Sequence, residues 1–384
     1  MSIKFALLSG FLTFWVWAQA QNRELYQRDL SPYLPNKNVQ ARIFHRQDSS
    51  FLVVDAAMQE FMLTLRIYDE YNERRLLNEQ FLNSQKLTFY QNQTLVHLPV
   101  AADKKLWAVE VQINGNGFNY YDILWANRAQ ENEQAIFILQ NGAFHLRKFV
   151  STAQNYSLAA RDANVNQFYI KFFPNGGNPA KAIYINETDK FNPLKGYEEL
   201  IRVEAGKNFV FNKEGVYFIQ TDSSSNKGCF ILAQNPDFPR PMRLEDLLQP
   251  LRYISKNAEF DKINNATDKK TELDAFWLAR HKDKERARQL LKLYYQRTEE
   301  ANFYFSTHKA GWQTDKGLLY IIFGAPDVVR KFSAKEVWFY KEKNNRQPVE
   351  FVFERVGELF YLERDRAYRN VWDIEIERWR KGKI

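Results

Sequence analysis

Cysteine is almost missing from this 384-residue chain, and its single copy, Cys229, has no partner within it. No intrachain disulfide can form, and a cysteine-rich zinc site is excluded. Each folded unit therefore rests on its apolar core. Histidine is scarce as well: none of His45, His97, His145, His281 and His308 stands in an H-E-x-x-H spacing, the helical signature of a zinc protease. The chain has no G-x-S-x-G elbow and no glycine-rich phosphate loop, so the common hydrolase and nucleotide-binding motifs are absent. Long hydrophobic runs are lacking too. The apolar stretch from Phe5 to Trp17 falls short of the roughly 18 residues that a spanning helix needs, and nothing later reaches it.

What is plentiful is aromatic. Phe, Tyr and Trp make up 16% of the chain and hydrophobic residues 45%, a supply of core that disordered sequences do not have. The net charge is +8, and its excess lies toward the C-terminus, where the part from Arg243 onward carries 29 basic and 23 acidic residues. These charges alternate along the chain and form no blocks, which is the pattern of a solvated face and not of a nucleic-acid partner. An acidic protein, a lipid headgroup or a polysaccharide is the class of partner such an excess can meet.

Near the N-terminus Lys4 is the only charge before the apolar stretch, and Ala18-Gln19-Ala20 follows it. This is the order of a secretory signal peptide with a small-x-small cleavage site. It predicts a signal peptide over 1–20, a mature chain from Gln21, and an exported protein, periplasmic or outer-membrane-associated, with no transmembrane span after cleavage. Residues 21–38, with Pro32 and Pro35, read as an extended lead-in.

From Val39 to Leu124 seven short alternating runs follow one another: 39–43, 50–55, 61–68, 76–81, 94–98, 106–113 and 120–124. Runs of this length between polar turns, with Gly115-Asn116-Gly117 before the last, predict an antiparallel, Ig-like β-sandwich over 39–127. A second sandwich is expected over 128–235, with strands at 136–139, 168–173, 182–185, 200–203, 216–219 and 229–232. The prolines of Asn235-Pro236-Asp237-Phe238-Pro239-Arg240-Pro241 block helix and central strand alike, so 236–250 reads as a linker. Beyond it, over 251–384, the period becomes helical. Thr271-Glu272-Leu273-Asp274 resembles a capping box, and Asp283 is placed to cap a second helix with Ala287, Leu290, Leu291, Tyr294 and Ala301 on one face. Four strands are then expected at 318–323, 336–340, 349–353 and 359–362, with hairpin connections at 344–347 and 356–358 and a closing helix at 368–379. The fold class is thus mostly β with a C-terminal α+β module: two antiparallel sandwiches, then helices with a small antiparallel sheet.

Within that module Ala310-Gly311-Trp312-Gln313-Thr314-Asp315-Lys316-Gly317 runs into Leu318-Leu319-Tyr320-Ile321-Ile322-Phe323-Gly324-Ala325-Pro326-Asp327. With Phe276-Trp277-Leu278-Ala279-Arg280 upstream and Glu336-Val337-Trp338-Phe339-Tyr340 downstream, this stretch resembles the GWxTD domain, a module of exported proteins of Gram-negative bacteria with no established biochemical role. The resemblance covers about residues 250 to 365. It departs at His281-Lys282-Asp283, where the family tends to carry Asp-Pro, and at Ala325, which replaces a second proline.

Turn chemistry accounts for the motif's residue types: Gly317 can supply a positive φ, Asp315 can bond its own backbone, Pro326 fixes φ, and Trp312 can fill a core. Trp312, Thr314, Asp315, Asp327 and Trp338 are the candidate binding residues, and the pattern offers no catalytic residue, cofactor or metal ligand. The expected function is a non-catalytic exported envelope protein, an interaction or scaffold module with another envelope protein as partner. One alternative is glycan binding through Trp107, Tyr120, Tyr121 and Trp125. The other is a hydrolase that pairs the carboxylates of Asp315 and Asp327 with Glu336 or Glu350 nearby.

Overall fold

The computed structural model describes residues 39–384 except 47–48, 57–60, 70–74, 84–87, 91–92, 101–105, 116–117, 128–135, 188–189, 193–194, 281–282 and 342–347. The expected signal peptide, the lead-in, most of the 115–117 turn and the 344–347 connection lie outside the described residues.

The first module is built from β1 (Val39–Arg46), β2 (Ser49–Ala56), β3 (Phe61–Asp69), β4 (Arg75–Asn83), β5 (Thr88–Tyr90), β6 (Gln93–Leu98), β7 (Leu106–Gly115) and β8 (Phe118–Asn127). Two antiparallel sheets, ordered β1-β2-β6-β5 and β4-β3-β7-β8, face each other. The alternation decides which face is buried: Phe61, Leu63, Leu65 and Ile67 of β3 point inward with Trp107, Val109, Val111 and Ile113 of β7, while Met62 between them is exposed. All seven expected strands are present. The eighth, β5, has three residues, too few to show a period.

The second module contains β9 (Ile136–Gln140), β10 (Ala143–Phe144), β11 (Phe149–Ser151), β12 (Asn155–Ala160), β13 (Gln167–Phe173), β14 (Glu199–Glu204), β15 (Phe209–Val210), β16 (Gly215–Gln220) and β17 (Cys229–Gln234). Its sheets are ordered β10-β9-β12-β15 and β11-β17-β16-β13-β14. One pair departs from the antiparallel expectation, since β11 runs parallel to β17. Residues 182–185, expected as a strand, form a turn closed by Ile185 N–H donating to the Ala182 carbonyl at 2.9 Å. Ile183 in that turn is fully buried in the core of the C-terminal module, so its apolar character serves a neighbour and not a sheet.

Every residue of β16 is buried, because its sheet is covered on both faces. One face closes the sandwich. The other carries Val216 and Phe218, which pack with Phe173, Leu232 and Ala310 and with the rings of Phe303 and Trp312 from the C-terminal module. The proline-rich stretch is held in the same seam: Phe238 meets Phe149 edge-on at 4.9 Å, and Asn302 donates to the Pro239 carbonyl at 3.1 Å. Within 236–250 lies α1 (Leu244–Leu248), whose Leu248 is buried.

The C-terminal module continues with α2 (Asn257–Asn264), α3 (Lys269–Leu278), α4 (Lys284–Phe305) and α5 (Asp315–Phe323). The cap of α3 is Asp268, which accepts from Thr271 N–H at 3.1 Å, so Thr271 is inside the helix and the expected capping box is shifted by one turn. Asp283 caps α4 as expected. Residues 318–323 are helix, not strand. All nine residues of α5 are buried, and a short, wholly apolar run has no period by which helix and strand differ. The sheet that follows is a meander of β18 (Val328–Lys331), β19 (Lys335–Tyr340), β20 (Val349–Val356) and β21 (Leu359–Leu362), closed by α6 (Arg369–Arg380).

Candidate functional site

The motif connects α4 to α5, and its geometry begins with two glycines. A Cβ on Gly311 would stand 1.8 Å from the Ala301 carbonyl oxygen, and one on Gly317 would stand 1.8 Å from the Gly311 carbonyl oxygen. Both positions thus require glycine because main chain meets main chain. Gly317 is helical, and the positive φ expected for it is not what selects it. Thr314 locks the pair: its hydroxyl donates to the Gly311 carbonyl at 2.8 Å and accepts from Gly317 N–H at 3.1 Å, which caps α5. Asn302 accepts from Trp312 N–H at 3.1 Å, and Ser306 accepts from Gly311 N–H at 3.0 Å, so α4 fixes the loop from behind.

Asp315 does not bond its own turn. Its carboxylate accepts from Leu362 N–H at 2.9 Å and from the Arg364 guanidinium, and Arg364 also donates to the Lys181 and Ala182 carbonyls at 2.7 and 2.8 Å. One aspartate therefore ties α5 to β21 and, through Arg364, to the 174–198 excursion of the second sandwich. Lys316 pairs with Glu336 at 3.0 Å, both buried, and its ammonium lies 3.4 Å from the Phe360 ring centroid. Burial pushes that ammonium down to about 8 although Glu336 pulls the other way. Glu336 also accepts from Trp338 Nε1–H at 2.6 Å.

These groups form the floor of a cavity of about 640 Å³ at the junction of the three modules. Ala41 to Ile43 and Asp122 to Trp125 of the first sandwich, Lys148 and residues 178–181 of the second, and residues 304–309 of the C-terminal module contribute walls. Glu358, in the turn between β20 and β21, accepts from Arg42 at 2.9 Å and from Lys148, so one carboxylate touches all three modules. Burial opposes its ionisation, but Lys148 and Arg42 outweigh burial and hold it well below the usual carboxylate range. Asp122 of β8 pairs with Lys331 of β18 on the same wall.

Of the candidate binding residues Thr314 and Asp315 are thus at the cavity, together with Glu336 of the hydrolase alternative, and Trp312, Asp327 and Trp338 are not. Trp338 is fully buried core. Trp312, expected in the core between helix and sheet, is half-buried at the seam, 6.0 Å from the Tyr253 ring. Asp327 is exposed beyond the far end of α5 and accepts from Lys341 N–H at 2.8 Å. A helix of nine residues is roughly 13 Å long, so the carboxylates of Asp315 and Asp327 do not converge, and Glu350 is exposed elsewhere. Of the glycan candidates, Trp107, Tyr120 and Tyr121 are buried, and Trp125 alone of these lines the cavity. Among the described residues no group of three His, Cys, Asp or Glu side chains is placed to hold a metal ion.

Sequence reasoning missed Arg42, Lys148, His308, Lys316, Lys331 and Glu358. Lys316 stands inside the motif and could have been found there; for the others the local signal is a polar group beside an apolar run, which is common on any surface, and they meet through long-range packing. No curated protein matches the chain. Residues 215–381 match the family model of the GWxTD domain, which takes in β16 and β17 as well as the helices and the meander; this part of the chain is a GWxTD domain.

Proposed function

We propose that this protein is a non-catalytic exported envelope protein that serves as an interaction or scaffold module, with the inter-module cavity as the place where it holds another envelope protein. The observation that carries the reading is the use made of the motif: Gly311, Thr314, Asp315 and Gly317 spend their polar and steric properties on building the cavity floor. A catalytic carboxylate is usually held in a strained setting, and its removal is often neutral or stabilising while function is lost. A building carboxylate behaves in the opposite way. Asp315→Ala leaves Arg364, whose side chain is 3% exposed, with its buried charge unanswered, and should destabilise the protein by about 3 to 5 kcal/mol.

Denaturant unfolding of the full chain measures this. In parallel, affinity capture from the native envelope compares the protein with Lys181→Trp, which places a large ring at the cavity wall from a half-exposed position. Loss of a captured protein at unchanged melting temperature supports the reading. A stabilised Asp315→Ala, or capture indifferent to the filled cavity, argues against it.

A further inference from the structure

Lys316 is placed in a way that neither building the floor nor holding a partner explains. It lines the cavity from the first turn of α5 with its side chain 10% exposed, and its ammonium meets one Glu336 oxygen at 3.0 Å. The other Glu336 oxygen accepts from Trp338 Nε1–H at 2.6 Å, and Trp338 is fully buried. The carboxylate is thus fixed with one oxygen within proton-transfer reach of the amine. The groups that face this amine are Glu336 of β19, Lys331 of β18, Arg355 of β20 and the Phe360 ring of β21. Burial acts most strongly against the ammonium, Lys331 and Arg355 add to it, Glu336 opposes them, and the balance lies at about 8. Lys331, on the same wall, goes the other way. Burial opposes its charge as well, but Asp122 and Glu336 outweigh burial and raise it above the ordinary lysine value. The partners therefore sort the two lysines: one is kept as a cation, and the other gives up its proton not far above neutral pH.

We infer that Lys316 is a reactive amine with which the cavity captures a small aldehyde or ketone as an imine, with Glu336 as the proton carrier. A lysine desolvated beside other cations is the usual form of an activated amine, and a volume of about 640 Å³ is that of a small-molecule site. Glu336 takes one proton from the ammonium, and the nitrogen lone pair then bonds to the carbonyl carbon while the C=O π pair moves to oxygen. Transfer of a proton from nitrogen to that oxygen gives a neutral carbinolamine. The proton held by Glu336 passes to its hydroxyl, the C–O bond breaks with its electron pair, and water leaves. One ammonium and one carbonyl become one iminium and one water, and nothing is oxidised or reduced. The iminium carries the charge of the ammonium it replaces, so it inherits both the Glu336 carboxylate and the Phe360 ring. Capture is stoichiometric and reversed by hydrolysis. It goes beyond the partner proposed above and does not rest on it, because the state of the amine is set by its own neighbours.

The test incubates the full chain with butanal and sodium cyanoborohydride, which reduces the iminium to a stable butylamine, and maps the modified lysines by peptide mass spectrometry. At about pH 7.5 Lys316 should be modified at least about tenfold faster than Lys270, whose side chain is 74% exposed. Its rate should level off above about pH 8, whereas exposed lysines keep gaining up to their ordinary value of about 10.4. On that plateau, where the amine is already neutral, Glu336→Gln should slow capture at least about tenfold, since dehydration loses its acid. Lys316→Arg keeps a cation beside Glu336 but cannot condense with butanal, and no other lysine of the cavity should take over the preference. The map of the unsubstituted protein decides even where a variant does not fold. Modification of Lys316 no faster than of Lys270 overturns the inference, as does preferred modification of Lys309 or Lys331. So does a preference for Lys316 that persists in denaturant, because it would then come from local sequence and not from the cavity. A folded Glu336→Gln protein that captures butanal at the wild-type plateau rate overturns the part assigned to Glu336.

Discussion

His308 sits against the Phe191 ring at 5.1 Å and the Phe230 ring at 6.2 Å, with its Nδ1 3.1 Å from the Thr307 hydroxyl. A charged imidazole has little to solvate it there. Burial, and after it the neighbouring Lys309, pushes its pKa down to about 3. His145 is in a similar position: burial lowers it to about 4 although its hydrogen bond to the Phe149 carbonyl opposes the shift. A group whose folded pKa lies below its unfolded value contributes stability that is present above the unfolded pKa, about 6.5 for histidine, and lost as pH falls toward the folded value. Stability should therefore decline between pH 6.5 and 4.5, above the range where most carboxylates titrate. Each histidine adds a slope of up to about 1.4 kcal/mol per pH unit. Denaturant unfolding at several pH values in this window checks it, and His308→Gln should lower the slope by one histidine's share. An unchanged slope in that variant would show that His308 is accessible to protons in the folded state.

Helix α5 shows how a backbone contact can reverse the usual sign of a substitution. In an exposed helix interior, glycine to alanine is stabilising by about 0.5 to 1 kcal/mol. At Gly317 the added methyl would collide with the Gly311 carbonyl at 1.8 Å, which is main chain and cannot swing aside. Gly317→Ala should cost at least about 1 to 3 kcal/mol, the range for an overpacked interior, and thermal melting gives the sign directly. A gain in melting temperature would mean that the loop and α5 are not in contact. The need for glycine here was legible in the motif, but its reason was not, because the reason is a contact between residues brought together by the fold. The same distinction runs through the other elements. Strand β3 could be read because its alternation is a local property, and the start of α4 could be read because Asp283 lies directly ahead of it. The helical state of 318–323 could not, since a run apolar on every side records burial and not period. Nor could the turn at 182–185, whose Ile183 is apolar for the sake of another module's core. The cavity was the least legible feature. Asp315 carried a signal through the motif, whereas Glu358 met Arg42 across 316 positions of sequence, a separation that leaves no trace in either residue's surroundings.

The three modules are joined by two kinds of contact with different physical responses. The first sandwich meets the second through rings: Phe44 lies 5.3 Å from Phe137 and 5.1 Å from Phe144, and Gln93 exchanges hydrogen bonds of 2.7 and 2.8 Å with the Phe144 main chain. It meets the GWxTD domain through charges, Arg42 with Glu358 and Asp122 with Lys331. Apolar contact hardly weakens with added salt, whereas ions screen charges they can reach, and the Debye length shrinks from about 10 Å at 0.1 M to about 3 Å at 1 M. The side chains of Arg42 and Glu358 are 21% and 17% exposed, so ions do reach them. The wall formed by β1 and β8 is therefore anchored on rings and latched by charge. High salt should loosen the latch and raise the radius of gyration measured by small-angle X-ray scattering. Glu358→Gln releases Arg42 and Lys148 together and should produce the open form already at low salt, with a loss of about 1 to 3 kcal/mol, below the cost of breaking a fully buried pair because solvent shares the charge. The same variant should respond less to salt in the scattering experiment, since of the two charge contacts only Asp122 with Lys331 is left to screen. A radius that neither salt nor Glu358→Gln alters would mean that the ring contacts alone position the first sandwich, and that the cavity is a fixed recess instead of a latched one.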